Sequence, residues 1–281
     1  MRYWNPVVPV GAFLERRSAR KFRERYGPWA LVTGGALGIG RGFARRLAAR
    51  GVSLLLVDRN EQALAETAEA ARAQGVSVET LAADLRDAKA LEEVCEWVPG
   101  DGRELGLLVN NAGIGHVGRF LDIPLEDHQS VVDLNVRAPM LLSYRLAPRL
   151  VARGRGGIIM LSSSSAFAGS PGVAHYAATK GYNWLLAEAL LGEFSDAGVD
   201  CLAVLPGLTH GTNATRSLSE EVLRKLRPQH ADDVAEDALR ALGQKAYVVT
   251  GPGTSLSGHL RRLLPRKRML RSASNRLEMF E

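Results

Sequence analysis

Residues 29–50 read WALVTGGALGIGRGFARRLAAR. A short run, WALVT, is followed by a glycine-rich turn, TGGALGIG at 33–40. A helical pattern then places Ile39, Phe43, Leu47 and Ala48 on one side. That order reads as strand, tight turn and amphipathic helix. Gly34, Gly38 and Gly40 are spaced G-x-x-x-G-x-G. Glycine at these points lets the main chain turn sharply and come close to a bound group. The helix beyond presents unpaired N–H groups and the positive end of its dipole, which suits a phosphate or pyrophosphate. Gly34, Gly38, Ile39 and Gly40 are therefore candidate contacts to a dinucleotide.

The same alternation continues outward. Candidate strands are WALVT (29–33), SLLLVD (53–58), SVETLA (77–82), LGLLVN (105–110), GGIIMLS (156–162), VDCLAVL (199–205) and AYVVT (246–250). Most are short and almost wholly apolar, as strands covered on both faces are. Helical patterns lie between them: 39–50, 60–74 with Asn60 as N-cap, and the long stretches 126–152 and 173–196. This βα alternation specifies an α/β fold, a doubly wound parallel sheet of Rossmann-like type. With 281 residues, 46% of them hydrophobic, the chain makes one large domain and is too short for two. The expected division is a basic extension at 1–28, the dinucleotide-binding domain at 29–255 and a basic tail at 256–281.

Charge placement narrows the partners. Residues 1–28 and 256–281 each carry seven Lys/Arg against two Glu, within a net charge of +6, so the central domain is slightly acidic. A nucleic-acid enzyme would carry basic charge over its working face, so none is expected as a partner. The ends interleave Leu, Phe and Met with their charges. They suit either an anionic membrane surface or a solvated helix face covering the domain or a partner subunit. No segment reaches the ~18 apolar residues of a membrane span, and the N-terminus lacks the uninterrupted apolar stretch of a secretory signal. Two separate cysteines, Cys95 and Cys201, read as buried small residues in a reducing compartment. The expected location is the cytoplasm, with peripheral membrane contact as an addition. The six histidines form no ligand cluster, and no metal is expected.

The chemistry concentrates further along. Tyr176 and Lys180 stand four apart in HYAATK, so one helix face carries a phenol and an ammonium. A phenol alone titrates near pH ~10. A neighbouring cation favours the phenolate and lowers that value, which makes a proton donor or acceptor for neutral pH. Asp58 ends the second strand, where a carboxylate can accept from the adenosine ribose and repel a 2′-phosphate, favouring NAD. Arg59 beside it can pair with that phosphate, so NADP stays open. Asp84, with Leu85, follows the third strand and meets an adenine edge or caps the helix starting near Asp87.

TGGALGIG, Asp84, NNAG (110–113), Asn135, Ser163, Tyr176, Lys180 and Pro206-Gly207 together resemble the short-chain dehydrogenase/reductase family, over roughly residues 28–250. Within it, YGPWALVTGG at 26–35 resembles the 17β-hydroxysteroid dehydrogenase and long-chain 3-oxoacyl-CoA reductase branch. The resemblance implies an NAD(P)-dependent oxidoreductase. In it Asn110, Asn111, Ala112 and Gly113 line the cofactor, and Pro206 and Gly207 pass under the nicotinamide carboxamide. It further implies that Asn135 holds a water leading to Lys180 and that Ser163 hydrogen-bonds the substrate oxygen. Tyr176 then exchanges the proton, and Lys180 binds the nicotinamide ribose. Homodimers or homotetramers built on the two long helices are implied as well.

The serine run SSSS at 162–165 leaves Ser162 as the alternative to Ser163. Gly211 stands where the family often has threonine, so Thr209 is taken as the carboxamide contact. Ile114, Phe167 and Leu208 are expected to line a pocket with few fixed charges, suited to a hydrophobic secondary alcohol or ketone. His116 and His210 fall near its mouth, and His175 should point away from Tyr176. The other reading is a nucleotide-binding regulator or scaffold without catalysis.

Overall fold

The computed structural model describes residues 10–98, 102–169, 171–216 and 219–251. Its strands are β1 Trp29–Thr33, β2 Ser53–Asp58, β3 Val78–Ala82, β4 Leu105–Asn110, β5 Gly156–Leu161, β6 Val199–Pro206 and β7 Tyr247–Thr250. All pair in parallel, in the order β3-β2-β1-β4-β5-β6-β7. The helices are α1 Val10–Tyr26, α2 Gly38–Ala48, α3 Glu61–Arg72, α4 Ala88–Trp97, α5 Leu125–Val132, α6 Ala138–Arg153, α7 Ala174–Phe194, α8 Asn213–Arg216, α9 Glu220–Leu226 and α10 Ala231–Ala241. The order of connection reverses between β1 and β4, and in such sheets a crevice opens there at the strands' carboxyl ends.

Strand side chains alternate between two cores. Ala30, Val32, Leu54 and Leu56 point to one face, where Phe43 and Leu47 of α2, Leu64 of α3 and Val234 of α10 cover them. Leu31, Leu55 and Val57 point to the other, under Leu91 of α4, Leu142 of α6 and Trp184 of α7. Both faces are dry, which is why these strands are nearly continuous apolar runs. Each fully buried Leu contributes about 1.5–3 kcal/mol through burial.

Local chemistry sets the helix ends. The Asn60 side chain accepts from Ala63 N at 3.1 Å and starts α3. Asp87 accepts from Lys89 N and Ala90 N at 2.8 and 2.9 Å and starts α4. Asp84 takes no part in that cap. The helix expected over 126–152 is interrupted: α5 and α6 are joined by a π-helical turn, Asp133–Arg137.

The end of α1 is built into the domain. Tyr26 is buried, and its hydroxyl donates to Asp200 Oδ2 at 2.6 Å beside the Arg25 guanidinium on the same oxygen. Gly106 makes room for it, since a Cβ there would lie 2.3 Å from Gly27 O and 2.5 Å from Tyr26 O. The basic tail 256–281 lies outside the described residues. Among the described residues no helix is long and apolar enough to cross a membrane.

Candidate active site

A cleft of about 710 Å³ opens at the carboxyl ends of the central strands. The glycine-rich turn forms its floor. Gly40 packs so closely that a Cβ would sit 1.9 Å from Gly34 O, so only glycine closes this turn. Gly34 and Gly38 have φ of 64° and 54°, the left-handed region that favours glycine. Leu37 offers no side-chain cap to α2, and the first turn of α2 holds no acidic residue. The N–H groups of that turn are therefore available to an anion, and the cradle fits a dinucleotide pyrophosphate.

Neighbouring side chains fix the turn. Asp58 Oδ2 accepts from Ala36 N at 3.1 Å and its Oδ1 from Asn60 N at 3.0 Å. Thr67 donates to Ala36 O at 2.9 Å. Asn111 Nδ2 donates to Thr33 O and Gly34 O at 2.8 and 3.1 Å. Thr33 Oγ1 in turn accepts from Asn111 N and Ala112 N at 3.0 and 3.1 Å. Thr33 thus joins β1 to the NNAG turn, a task that its place in TGG did not reveal.

Gly34, Gly38, Ile39, Asp58, Arg59, Asp84, Leu85, Asn111, Ala112, Gly113, Tyr176, Lys180, Pro206, Gly207 and Thr209 all line the cleft. Gly40 lies beneath the turn. Asp84 meets Arg86 through two guanidinium nitrogens, at 3.1 and 2.5 Å from Oδ2, and this pairing holds its carboxyl below the ordinary range. Arg86 is thus a cleft residue that sequence reasoning missed.

Asn110 does not reach the cleft. Its amide donates to Ser143 Oγ at 3.1 Å, on the far side of β4, because alternate residues of a strand face opposite ways. Phe167, expected at the pocket wall, lies in the core against Trp184 with ring centres 5.1 Å apart. The hydroxyl of Thr209 is engaged within its own loop, with Gly207 O at 3.0 Å and Gln229 Nε2 at 3.2 Å.

The chemical end is compact. Asn135, fully buried on the π turn, brackets Ile114: Oδ1 accepts from Ile114 N at 2.9 Å and Nδ2 donates to Ile114 O at 2.8 Å. Nδ2 also meets Thr179 Oγ1 at 3.1 Å. Lys180 is buried, and its ammonium donates to Leu161 O at 2.8 Å. Gly113 leaves room for it, because a Cβ would stand 3.0 Å from Nζ. Gly115 lies flat on the Tyr176 ring, where a Cβ would be 2.6 Å from Cδ2.

The serines divide their work. Ser162 Oγ donates to Lys180 O at 2.7 Å and is buried there. Ser163 accepts from Ser165 N at 3.1 Å and lines the same cleft as Tyr176. Burial pushes the phenol above its ordinary value, and the nearby Ser163 hydroxyl opposes that only in part. This corrects the expectation of a phenol lowered by its lysine. Burial brings Lys180 itself down to about 8, and Nζ lies 5.7 Å from the phenol ring centre, directed at a carbonyl.

His116 stands at the cleft mouth with Nδ1 3.7 Å from Asp127 Oδ2. His210 is exposed on the loop after β6, with its ring 6.4 Å from that of His230. His175 turns to His128 on α5.

Residues 28–223 match the model of the short chain dehydrogenases. The chain belongs to that family. A sulfoacetaldehyde reductase 2 from Chromohalobacter salexigens is 33% identical over 214 residues, covering 73% of this chain and 84% of its own. A 7beta-hydroxysteroid dehydrogenase from Mediterraneibacter gnavus is 27% identical over 247 residues, covering 84% and 91%. A short-chain dehydrogenase from Sphingobium yanoikuyae, solved in complex with NADPH, is 33% identical with a TM-score of 0.73, covering 84% of this chain and 94% of that one. This short-chain dehydrogenase is accordingly an NAD(P)-dependent oxidoreductase.

Proposed function

We propose that this short-chain dehydrogenase interconverts a hydrophobic secondary alcohol and its ketone, with Tyr176 exchanging the proton at the substrate oxygen. One observation carries the reading. Ser163 and Tyr176 stand on the wall of one cleft, and Tyr176 lies one helical turn before the buried ammonium of Lys180. Two hydroxyls of one cleft that both reach a carbonyl oxygen would stabilise the negative charge that grows on it as hydride arrives. Ser163 accepts from Ser165 N, which leaves its own proton free to point at that oxygen. Tyr176, kept neutral by burial, is in the form that donates during reduction.

The nicotinamide cofactor supplies or takes the hydride when bound, and the chain positions it. Gly34, Gly38, Ile39 and Gly40 would hold the pyrophosphate. Asp58 and Arg59 would face the adenosine ribose, Asp84 and Leu85 the adenine. Asn111, Ala112, Gly113 and Lys180 would face the ribose and ring, and Pro206, Gly207 and Thr209 the carboxamide. A carboxylate at position 58, already anchored by two N–H groups, supports NAD over NADP.

The substrate end supports an apolar ligand. Its lining includes Ile114, Val117, Val173 and Leu208, whereas the cleft's carboxylates, Asp58 and Asp84, stand at the nucleotide end. A panel of ketones from small and polar to steroid-like and long-chain, followed by nicotinamide absorbance, tests this. We expect turnover to favour the bulky apolar members and NADH to be used at lower concentration than NADPH. Preference for the small polar ketones would contradict the substrate reading. No turnover of any member despite tight NADH binding would favour a non-catalytic nucleotide-binding regulator instead.

A further inference from the structure

His128 on α5 and His175 on the first turn of α7 meet with their Nδ1 atoms 2.8 Å apart. His128 is nearly buried, and its Nε2 lies 2.9 Å from the Phe120 carbonyl oxygen. A carbonyl only accepts, so Nε2 carries the proton of His128 and Nδ1 is left as an acceptor. His175 must then donate through Nδ1, and the network assigns both tautomers. The Phe120 ring packs over the contact, its centre 4.5 Å from His128 and 6.4 Å from His175.

This contact ties together two pieces that the proposed chemistry needs. His175 immediately precedes Tyr176. The loop that ends at Phe120 begins at Ile114 and Gly115, and Gly115 lies against the Tyr176 ring. Asn135 holds the start of that loop by both backbone groups of Ile114. His128 holds its other end by the Phe120 carbonyl.

We propose that His128 and His175 are positioning residues, a clamp that fixes the Ile114–Phe120 loop on Tyr176 and that a second proton on the pair releases. The proposal rests on Tyr176 being the proton donor. A first proton enters at His175 Nε2 and leaves the Nδ1 donation intact. A second must land on His128 Nδ1, where two N–H groups would face each other at 2.8 Å, so the contact breaks. Burial and the neighbouring His128 already hold the His175 imidazole below its ordinary range. The other ionisable groups on the packed elements are His116, Arg119 and Asp122 on and just after the loop, Glu126 and Asp127 on α5, and Tyr176, Lys180, Tyr182, Glu188 and Glu193 on α7. Asp127 lies toward His116, at 3.7 Å from its Nδ1. The clamp is therefore complete while the pair carries no more than one proton, and it opens at the acid pH where the second proton binds.

Three variants of the full-length protein test it with NADH and a ketone that the wild type reduces. They are His128→Ala, His175→Ala and the amide pair His128→Gln with His175→Asn. The amide pair keeps a donor toward Phe120 and a hydrogen bond across the contact, without a titratable ring. Either alanine should lower kcat roughly ten- to hundredfold through misplacement of Tyr176, with KM for NADH unchanged. The amide pair should restore kcat and abolish the acid limb of the pH profile. Ring-nitrogen NMR, which requires no substrate, should show His128 protonated at Nε2 near neutral pH. A proton on Nδ1 of His128, or alanine variants with wild-type kcat and pH profile, would overturn the clamp. If Tyr176→Phe abolishes turnover while these variants do not, the clamp fails alone. If Tyr176→Phe keeps turnover, the proposed function fails.

Discussion

Tyr176 and Lys180 show how burial outweighs charge. The spacing of the two residues was legible, and so was their common helix face. The environment was not: a lysine buried against Leu161 O and a phenol pushed up rather than down depend on which chain segments close over them. No pattern in HYAATK reports that closure. The buried lysine has a measurable consequence. Its folded value is about 8 against 10.5 for the free side chain. Between these values the unfolded chain holds a proton that the folded chain does not, so stability rises with pH across that window and is lost as pH falls through the folded value. Relative to Lys180→Met, the wild type should gain on the order of 3 kcal/mol in unfolding free energy across the window. Denaturant unfolding of both proteins across it checks this. Parallel curves would mean that Lys180 carries no such burden.

At the level of elements, strands and turns were readable because their rules are local. Apolar runs with β-branched residues gave all seven strands to within a residue or two, and Asn60 capped its helix as its side chain suggests. What stayed hidden is non-local. The π turn at Asp133–Arg137 leaves no mark in a pattern read at helical period, yet it lies where Asn135 brackets Ile114. Thr33 and His128 gained their roles only when β1 met β4 and α5 met α7. Phe167 was misplaced because a short 3₁₀ turn at Ser164–Phe167 carries it into the core. Apolar character alone does not separate a core wall from a pocket wall.

On the scale of the whole molecule, the N-terminal basic segment is in part structural, since Tyr26 and Arg25 converge on Asp200 beneath the sheet. Composition marked that segment only as charged, and the close seating of its end became visible through Gly106, where a Cβ would meet the Tyr26 and Gly27 main chain. An apolar stripe remains uncovered along α5 to α7: Leu125, Val132, Met140, Tyr144 and Leu185 are all exposed. Such a stripe on two long helices supports the proposal of a homo-oligomer. Light scattering should report a dimer or tetramer for the wild type. Met140→Glu with Tyr144→Glu should shift it toward monomer, and a wild-type monomer at all concentrations would refute the assembly.

The central claim, that Tyr176 moves the proton, is tested most directly by Tyr176→Phe. In single turnover with a ketone that the wild type reduces, oxidation of NADH should slow by about 10²–10⁴-fold while NADH affinity stays unchanged. Hydride transfer at the wild-type rate in that variant would contradict the account.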